Sequence, residues 1–211
     1  MGKISGLEAV EEIPSKVLLT YGAVQELVGE GRDVNDISVS AITERAGIGK
    51  GTIYDYFDSR EEIVACAFLF YVRQTAERMT AMARGYDRFS DMVRVLFDQL
   101  DRNSEQKTCF VRFIHGATDN SKYSPIIREK LNRTETGRKL PDRLFGEIIR
   151  MGMESGEIDR NLPTEYVLYA IFCKVMTYMM CIATRESFGI DNRKMRELVI
   201  AGLLKELKNE I

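Results

Sequence analysis

Residues 38–63, SVSAITERAGIGKGTIYDYFDSREEI, constrain the fold of this chain more than any other stretch. Ser38 is a favourable helix N-cap, and the apolar residues after it recur at the spacing of one helix face. These apolar residues are Val39, Ile42 and Ala46. Gly47 and Gly49 follow, and they favour a turn because glycine tolerates positive φ. The stretch therefore predicts a short helix, a tight turn and a second short helix.

The second helix, predicted over 50–57, has two dissimilar sides. At about 100° per residue, Ile53 and Phe57 lie together on one side. The opposite side carries small, polar and aromatic residues, namely Gly51, Thr52, Tyr54, Asp55 and Tyr56. An ordinary helical hairpin would explain the apolar pair but not this outer side. A helix-turn-helix arrangement explains both, because its second helix enters the major groove of DNA.

A third helix is predicted to begin directly after the hairpin. Ser59, followed three residues later by Glu62, has the pattern of a capping box. This cap places Arg60 in the first helical turn, beside the expected DNA groove.

Three motifs in this stretch occur in a recognisable order. They are V-x-x-I-x-x-x-A-G from Val39 to Gly47, K-G-T-I-Y-x-Y-F from Lys50 to Phe57, and S-R-E-E-I from Ser59 to Ile63. Together they resemble the DNA-binding signature of the tetracycline-repressor (TetR) family of bacterial regulators. The resemblance implies a homodimeric one-component transcription regulator, most often a repressor that a small-molecule effector releases from its operator DNA.

On this interpretation, the hairpin supplies both phosphate contacts and base contacts. The predicted DNA-binding residues are Ser38, Lys50, Gly51, Thr52, Tyr54, Asp55, Tyr56 and Arg60. Lys50, Arg60 and the two tyrosines are expected to hold phosphates, whereas Thr52 and Asp55 face base edges. A carboxylate can accept from cytosine N4 but repels phosphate, so Asp55 should contribute discrimination and not affinity.

The charge of this region is unusual for a DNA-binding module. Up to Arg60 the chain has six basic and ten acidic residues, so the segment carries 6 − 10 = −4. Nucleic-acid modules are usually basic, and TetR-like proteins commonly carry a basic N-terminal arm that is missing here. Binding is therefore expected to be modest per subunit, to depend on dimerisation and to show a shallow salt dependence.

The whole chain is predicted to be all-α, with two domains. Residues 1–58 form the three-helix DNA-binding domain, and residues 59–211 form a larger helical domain for effector binding and dimerisation. The predicted helices are 7–30, 38–57 as the hairpin, 59–84, 91–101, 105–118, 124–132, 141–154, 166–186 and 191–208. The segment 122–143 holds seven basic and three acidic residues. It could be a second nucleic-acid patch, but a solvated face is the better interpretation.

Residues 166–183 are apolar on nearly every side, with Lys174 at the middle of the run. A charge at that position argues against a membrane span. A helix that is apolar on all sides must be buried on all sides. We therefore expect one face to pack on its own subunit and another on a partner. The resemblance implies that helices 141–154 and 166–186 form the homodimer interface.

The resemblance also implies an effector cavity in the second domain. Its candidate lining comprises apolar or aromatic residues on helices expected to converge: Tyr71, Met79, Met92, Leu96, Phe110, Phe113, His115, Ile148, Tyr169, Phe172 and Met176. Such a lining suits a small apolar or aromatic ligand. Each of these residues taken singly is better explained as ordinary core.

The sequence contains no recognisable catalytic or cofactor motif. The four cysteines show no zinc spacing and the chain has one histidine, so we predict no metal site and no cofactor. Buried thiols in a reducing cytoplasm are the favoured explanation of the cysteines. Two other classes stay open: a dimeric protein-interaction module with weak or vestigial DNA binding, which the acidic first sixty residues favour, and an enzyme, which is disfavoured.

Overall fold

The computed structural model describes residues 4–102, 122–133, 135–138, 140–189 and 191–208. Regular structure within these ranges is helical, with no strand among them, so the all-α prediction is confirmed. The longer helices are α1 (Ser15–Gly29), α2 (Val39–Ala46), α3 (Lys50–Tyr54), α4 (Arg60–Ala83), α5 (Phe89–Arg102), α6 (Ser124–Arg133), α7 (Glu135–Arg138), α8 (Leu140–Glu154), α9 (Thr164–Phe188) and α10 (Asn192–Lys208). Short 3-10 helices cover Val10–Glu12 and Val34–Asp36. The predicted helix over 105–118 lies outside the described residues.

The chain forms two compact units, and they divide it elsewhere than between residues 58 and 59. The described part of the first unit comprises residues up to Thr75 together with 122–138. The second unit comprises the described residues from Ala76 to 102 and from Pro141 onward. Helix α4 runs without a break from the first unit into the second, and its residues up to Thr75 belong to the first unit.

The first unit is built around the apolar faces of α1, α2, α3 and α4. Its core includes Val17 and Tyr21 of α1, Ile42 of α2, Ile53 of α3 and Phe57 after it, all of which are buried. The Tyr21 ring lies 6.1 Å from that of Phe57 and 5.0 Å from that of Phe70. The hairpin is therefore held by contacts with a helix before it and a helix after it.

The first helix begins later than predicted. The sequence indicated a helix over 7–30, but α1 begins at Ser15, with Pro14 as the residue before it in extended conformation. Proline lacks an amide hydrogen and fits the start of a helix better than its interior. Gly6 has φ +80°, and a Cβ built there would lie 2.4 Å from the Cys66 carbonyl oxygen. The residues before Pro14 therefore lie against α4 without forming an α-helix.

In the second unit, α9 packs mainly against α10. Val167 and Tyr178 of α9 are buried, as are Val199 and Leu203 of α10. A polar network joins these helices to α5: one guanidinium nitrogen of Arg196 lies 2.5 Å from Asp98 and 2.8 Å from Asp101, and the Tyr178 hydroxyl donates to Asp101.

The stretch Thr164–Ile182 of α9 is long and apolar enough to cross a membrane by length and composition, yet only 28% of it is buried in the protomer. The ammonium of Lys174, at its middle, lies 3.1 Å from the Glu206 carboxylate of α10. A charged pair between two packed helices at this position fits a protein surface in water better than a lipid-facing helix. The exposed apolar part of α9 therefore needs another explanation.

Candidate nucleic-acid interface

The turn between α2 and α3 has the geometry that the two glycines predict. Gly47 ends α2 with φ +66° and ψ +31°, the left-handed conformation that suits glycine. Its amide donates to the Glu44 carbonyl oxygen, and the Ile48 amide donates to that of Thr43 at 3.0 Å. These bonds satisfy the last carbonyl groups of α2 and turn the chain directly into α3.

Helix α3 presents one face to solvent and the other to the core. Ile53 is fully buried, and Phe57 is 1% exposed. On the outer side, Lys50, Gly51 and Asp55 are exposed, Tyr54 keeps 52% of its surface, and Thr52 is half-buried. Tyr56 is half-buried and packs against the core. The regular helix ends at Tyr54, earlier than the predicted Phe57, and Asp55 is its C-cap.

Gly51 lies on this outer face with open space around it. A Cβ built at Gly51 meets no heavy atom within 4 Å. Its φ lies outside the range where glycine has a conformational advantage. A glycine inside a helix costs about 0.5–1 kcal/mol relative to alanine. Neither internal packing nor backbone geometry therefore explains why a glycine occupies this position. Close approach of another molecule to the α3 backbone would explain it.

The two predicted N-caps are confirmed. The Ser38 hydroxyl accepts from the Ala41 amide at 3.1 Å at the start of α2. The Ser59 hydroxyl accepts from the Glu62 amide at 3.1 Å, and the Glu62 carboxylate accepts from the Asp58 amide at 2.6 Å. Ser38 is exposed, so its hydroxyl lies at the surface beside the free amides of the first turn of α2.

Arg60 is turned toward its own protein. One terminal guanidinium nitrogen donates to the carbonyl oxygens of Val34, Asn35 and Ile37 at 3.1–3.2 Å. The rest of the guanidinium pairs with Glu61 at 2.9 Å. Burial opposes ionisation of Glu61, but hydrogen bonds from its own amide and from Arg60 hold its pKa below the ordinary value. A phosphate contact, which the sequence predicted for Arg60, would have to displace these partners.

Among the other basic residues of the hairpin, Arg45 also has internal partners. It lies 3.1 Å from Glu26 and 2.7 Å from Glu30, two carboxylates of the α1 end. Lys50 is exposed, and within the described residues no ion pair involves it. Lys50 is therefore the residue of the hairpin best placed to offer a free cation.

The predicted effector residues do not gather into one described cavity. Met92, Leu96 and Ile148 are buried in the second unit. Burial is expected both of a core residue and of a residue that lines a cavity. Tyr169 and Phe172 face solvent, with 71% and 38% of their surfaces exposed, and Met176 is half-buried. Tyr71 is half-buried in the first unit. The side chain of Met79, and the residues Phe110, Phe113 and His115, lie outside what the structure describes.

A surface depression of about 200 Å³ occurs in the second unit instead. It is lined by Arg84, Tyr86, Glu147, Arg150, Met151 and Glu154. Its lining is mostly charged, and its volume is below the roughly 300–1,000 Å³ usual for a drug-sized ligand. No group of three or more histidine, cysteine, aspartate or glutamate side chains suited to a metal occurs within the described ranges.

Two residues that join α6 to the hairpin region were missed at the sequence level. Tyr123 is 1% exposed, and Lys130 is 7% exposed. The sequence interpretation placed Lys130 on a solvated face and assigned no role to Tyr123. A signal was present: Tyr123, Ile127 and Leu131 recur at the spacing of one helix face, and Lys130 lies beside them on the same stripe.

A short, solvent-facing second helix after a left-handed glycine turn, backed by a three-helix core, defines a helix-turn-helix DNA-binding protein. Residues 30–66 match the sequence profile of the bacterial regulatory proteins of the tetR family. This stretch is therefore similar to the DNA-binding domain of that family, and a larger helical region follows it in the chain.

Solved structures share this fold over most of the chain. The regulator FadR from Bacillus subtilis, in complex with stearoyl-CoA, aligns with a TM-score of 0.62 and 21% identity, covering 89% of this chain and 97% of that one. FadR from Bacillus halodurans aligns with a TM-score of 0.65 and 19% identity, covering 93% and 98%. A TetR-family regulator from Syntrophomonas wolfei aligns with a TM-score of 0.63 and 16% identity, covering 93% and 96%. No curated protein sequence matches the chain significantly.

Proposed function

We propose that this protein is a homodimeric, one-component transcriptional repressor that a small-molecule effector releases from its operator DNA. The observation that supports this most directly is the outer face of α3. This face carries Gly51, Thr52, Asp55 and the free lysine Lys50. The opposite side is buried in the core through Ile53 and Phe57. Such a face is shaped to enter the major groove.

Each part of the hairpin has its own role in this proposal. Lys50, Tyr54 and Tyr56 contact phosphates, and Ser38 with the free amides of α2 does the same at a helix N-terminus. Gly51 allows the backbone of α3 to come close to the bases. Thr52 and Asp55 face base edges, where Asp55 can accept from cytosine N4. Arg60 binds the backbone carbonyl oxygens of the segment before α2 and does not contact a phosphate.

The proposed dimer uses α9 and α10, which modifies the interface expected from the sequence. The exposed apolar residues are Tyr166, Tyr169, Phe172, Met180 and Phe188 of α9 and Leu198 of α10. The exposed residues described on α8 are polar, for example Arg150 and Glu154. A second copy, packed about a two-fold axis, would cover the apolar faces of α9 and α10 as a four-helix interface.

Cysteine alkylation tests the proposed interface without a mutation. Cys173 is exposed on α9 beside the apolar residues, whereas Cys66 is buried and its burial raises its pKa to about 12. Cys66 should therefore stay unreactive in the native protein. Cys173 should react slowly at concentrations that favour the dimer and faster on dilution, as mass spectrometry of the labelled peptides would report. Rapid labelling of Cys173 in a dimer of measured mass would place the interface elsewhere.

The effector is proposed to bind in the second unit. The Bacillus subtilis FadR structure contains stearoyl-CoA, which makes long-chain acyl-CoA the first class of ligand to test here. An effector that favours the non-binding state by about 1–3 kcal/mol would weaken operator binding roughly 5–150-fold. Titrating stearoyl-CoA against the protein on labelled operator measures this directly. Unchanged operator affinity with the ligand shown to be bound would exclude release by that ligand class.

Selection of duplexes from a randomised library by the purified dimer tests the DNA-binding role. We expect an inverted repeat whose half-site centres are separated by about 34–36 Å or a small multiple. DNA binding also implies that the protein acts in the cytoplasm. The alternative, a dimeric interaction module with weak DNA binding, is favoured by the internal partners of Arg45 and Arg60. Absence of any selected sequence would support that alternative.

A further inference from the structure

The hairpin has little free positive charge, although it is the part of the chain expected to lie on DNA. Arg45 pairs with two carboxylates at the end of α1. Arg60 is bound by backbone carbonyl oxygens before α2 and by the Glu61 carboxylate. Neutralised phosphates supply a large share of the affinity of proteins for DNA. A unit built in this way should therefore take positive charge from another part of its structure.

The segment 122–138 belongs to the same compact unit as the hairpin and is a source of such charge. Its exposed basic residues are Lys122, Arg128, Arg133 and Arg138. Arg133 lies 3.7 Å from Glu129 on the same helix, and Arg138 donates to the Asn132 carbonyl oxygen at 2.7 Å. These two cations therefore have local partners, which leaves Lys122 and Arg128 to be considered.

Lys122 is held beside the start of the hairpin by its neighbour Tyr123. The Tyr123 side chain is buried, and its hydroxyl donates to the Val34 carbonyl oxygen at 3.2 Å. The Arg60 guanidinium lies 5.8 Å from the centroid of the Tyr123 ring and also donates to the Val34 and Ile37 carbonyl oxygens. Consecutive Cα atoms are about 3.8 Å apart, so these contacts also fix the backbone of Lys122.

The charge of Lys122 also acts on the first turn of α4. Burial opposes ionisation of Glu61, but its own amide, Arg60 and the nearby charge of Lys122 hold the pKa of that carboxyl below its ordinary value. The Glu61 carboxylate already accepts from Arg60 at 2.9 Å. Lys122 is exposed, and within the described residues no ion pair involves it. Its ammonium therefore remains available to a partner outside the protein.

The amino terminus of α2 lies directly after the residues that Tyr123 and Arg60 hold. Ile37 is followed by Ser38, the exposed N-cap, whose hydroxyl accepts from the Ala41 amide. The first amides of a helix lack partners within the helix and carry partial positive charge, which suits a phosphate. A lysine fixed beside this terminus adds a full positive charge at the same end of the hairpin.

We propose that Lys122 is a DNA-binding residue, which contacts the operator backbone beside the phosphate that the α2 amino terminus holds. This inference deepens the proposed function and rests on it. It assigns a phosphate contact to a residue that the sequence places far beyond the hairpin. Because Lys122 belongs to the first compact unit, the contact follows from the structure of that unit alone.

Three variants of the full-length protein test the inference. Lys122→Met removes the charge and keeps an unbranched side chain, whereas Lys122→Arg keeps the charge. Arg128→Met is the matched control, because Arg128 is an exposed cation of the same segment. The probe is the duplex selected by the wild-type dimer, titrated at several salt concentrations. A second set of duplexes carries an uncharged methylphosphonate in place of one phosphate in each half-site, at each position in turn.

We expect Lys122→Met to weaken binding of the selected duplex roughly 2–30-fold, as the loss of two exposed ion pairs would. The slope of log affinity against log salt concentration should become shallower by about one for each half-site. Lys122→Arg should bind like the wild type, and Arg128→Met should keep the wild-type affinity and slope. Base preference and thermal unfolding should be the same in all four proteins, because α3 is unaltered and Lys122 is exposed.

The methylphosphonate duplexes test whether one phosphate is the partner of Lys122. At one position in each half-site, the uncharged group should weaken the wild type more than Lys122→Met, because the variant has already lost that contact. Equal sensitivity of both proteins at every position would show that Lys122 contacts no particular phosphate.

Other outcomes would also overturn the inference. A loss in Arg128→Met equal to that in Lys122→Met would mean that only the general charge of the segment matters. Wild-type affinity and salt slope in Lys122→Met would show that the residue does not reach DNA. If the wild type selects a duplex and Lys122→Met binds it equally well, this inference fails alone. If the wild type selects no duplex, the proposed function fails first, and the inference fails with it.

Discussion

Helices α3 and α9 each expose a face to solvent, and the two faces differ in chemistry. The outer side of α3 carries small, polar and charged residues together with Tyr54, which is 52% exposed. The outer side of α9 carries tyrosine, phenylalanine, methionine and cysteine, with Tyr169 exposed by 71% and Met180 by 68%. A hydrated, charged partner suits the first face, whereas an apolar partner suits the second.

The way each face is supported also differs. Helix α3 has five residues and could not persist alone, so it depends on the core beneath Ile53 and on the Gly47 turn. Helix α9 has 25 residues and packs along α10. A short helix that is fixed at both ends is suited to precise reading, and a long helix is suited to burying area. The comparison therefore predicts separate consequences for changes on the two faces.

The largest effect is expected from a charge on the α9 face. Tyr169→Glu should prevent dimerisation, because a carboxylate would have to be buried without a partner. Loss of the second half-site should then lower operator affinity by about 10²–10⁴-fold. Analytical ultracentrifugation and operator titration measure the two effects. Leu19→Glu is the control, since Leu19 is 53% exposed on α1, and it should remain dimeric. A Tyr169→Glu protein that stays dimeric would place the interface on other helices.

A smaller and more selective effect is expected on the α3 face. Asp55→Ala should relax the base preference at one position of each half-site, where a matched contact contributes about 1–3 kcal/mol of discrimination. Lys50→Ala should instead weaken binding to all sequences alike and reduce the salt dependence. Selection from a randomised library with each variant separates these two results. An even loss of affinity across sequences for both variants would contradict the assigned roles.

The smallest effect is expected at Gly51. Gly51→Ala should stabilise the folded protein by roughly 0.5–1 kcal/mol, because alanine is the better helix former and the site has open space. The same change should weaken operator binding if the backbone of α3 approaches the bases closely. Gly22→Ala in α1 is the matched control, because it is also a helix position with open space. It should gain similar stability in urea unfolding and keep its operator affinity. Unchanged affinity in Gly51→Ala would remove the role given to this glycine.

The sequence predicted the hairpin well because its signals are local. The Gly47 turn, the Ser38 cap and the Ser59 cap depend on residues within a few positions of one another. The start of the first helix was predicted less well, because the helix begins at Ser15 and not at residue 7. The apolar residues before Pro14 are buried in the core. Their spacing alone does not show whether they reach the core as part of an α-helix or in another conformation.

What the sequence did not show about α6, Arg60 and α9 has another origin. Lys130 reads as a surface residue until Glu62, 68 positions away in sequence, is placed beside it. Arg60 reads as a phosphate ligand until the carbonyl groups of Val34 and Ile37 are seen around it. Tyr169 and Phe172 read as pocket lining, because an apolar residue gives the same pattern whether it faces a cavity or a second subunit. Long-range partners decide these cases, and the local pattern does not contain them.

The division of the chain has a consequence for its evolution and engineering. Because the first compact unit takes in 122–138 as well as the residues up to Thr75, a fragment that ends at Thr75 would lack Tyr123 and Lys130, which bind the Val34 carbonyl oxygen and the Glu62 carboxylate. Exchanging operator specificity between such proteins by joining two genes at one crossover point would separate Lys130 from Glu62. A functional chimera should need two crossovers, or one crossover with both partners of that ion pair carried from the same parent.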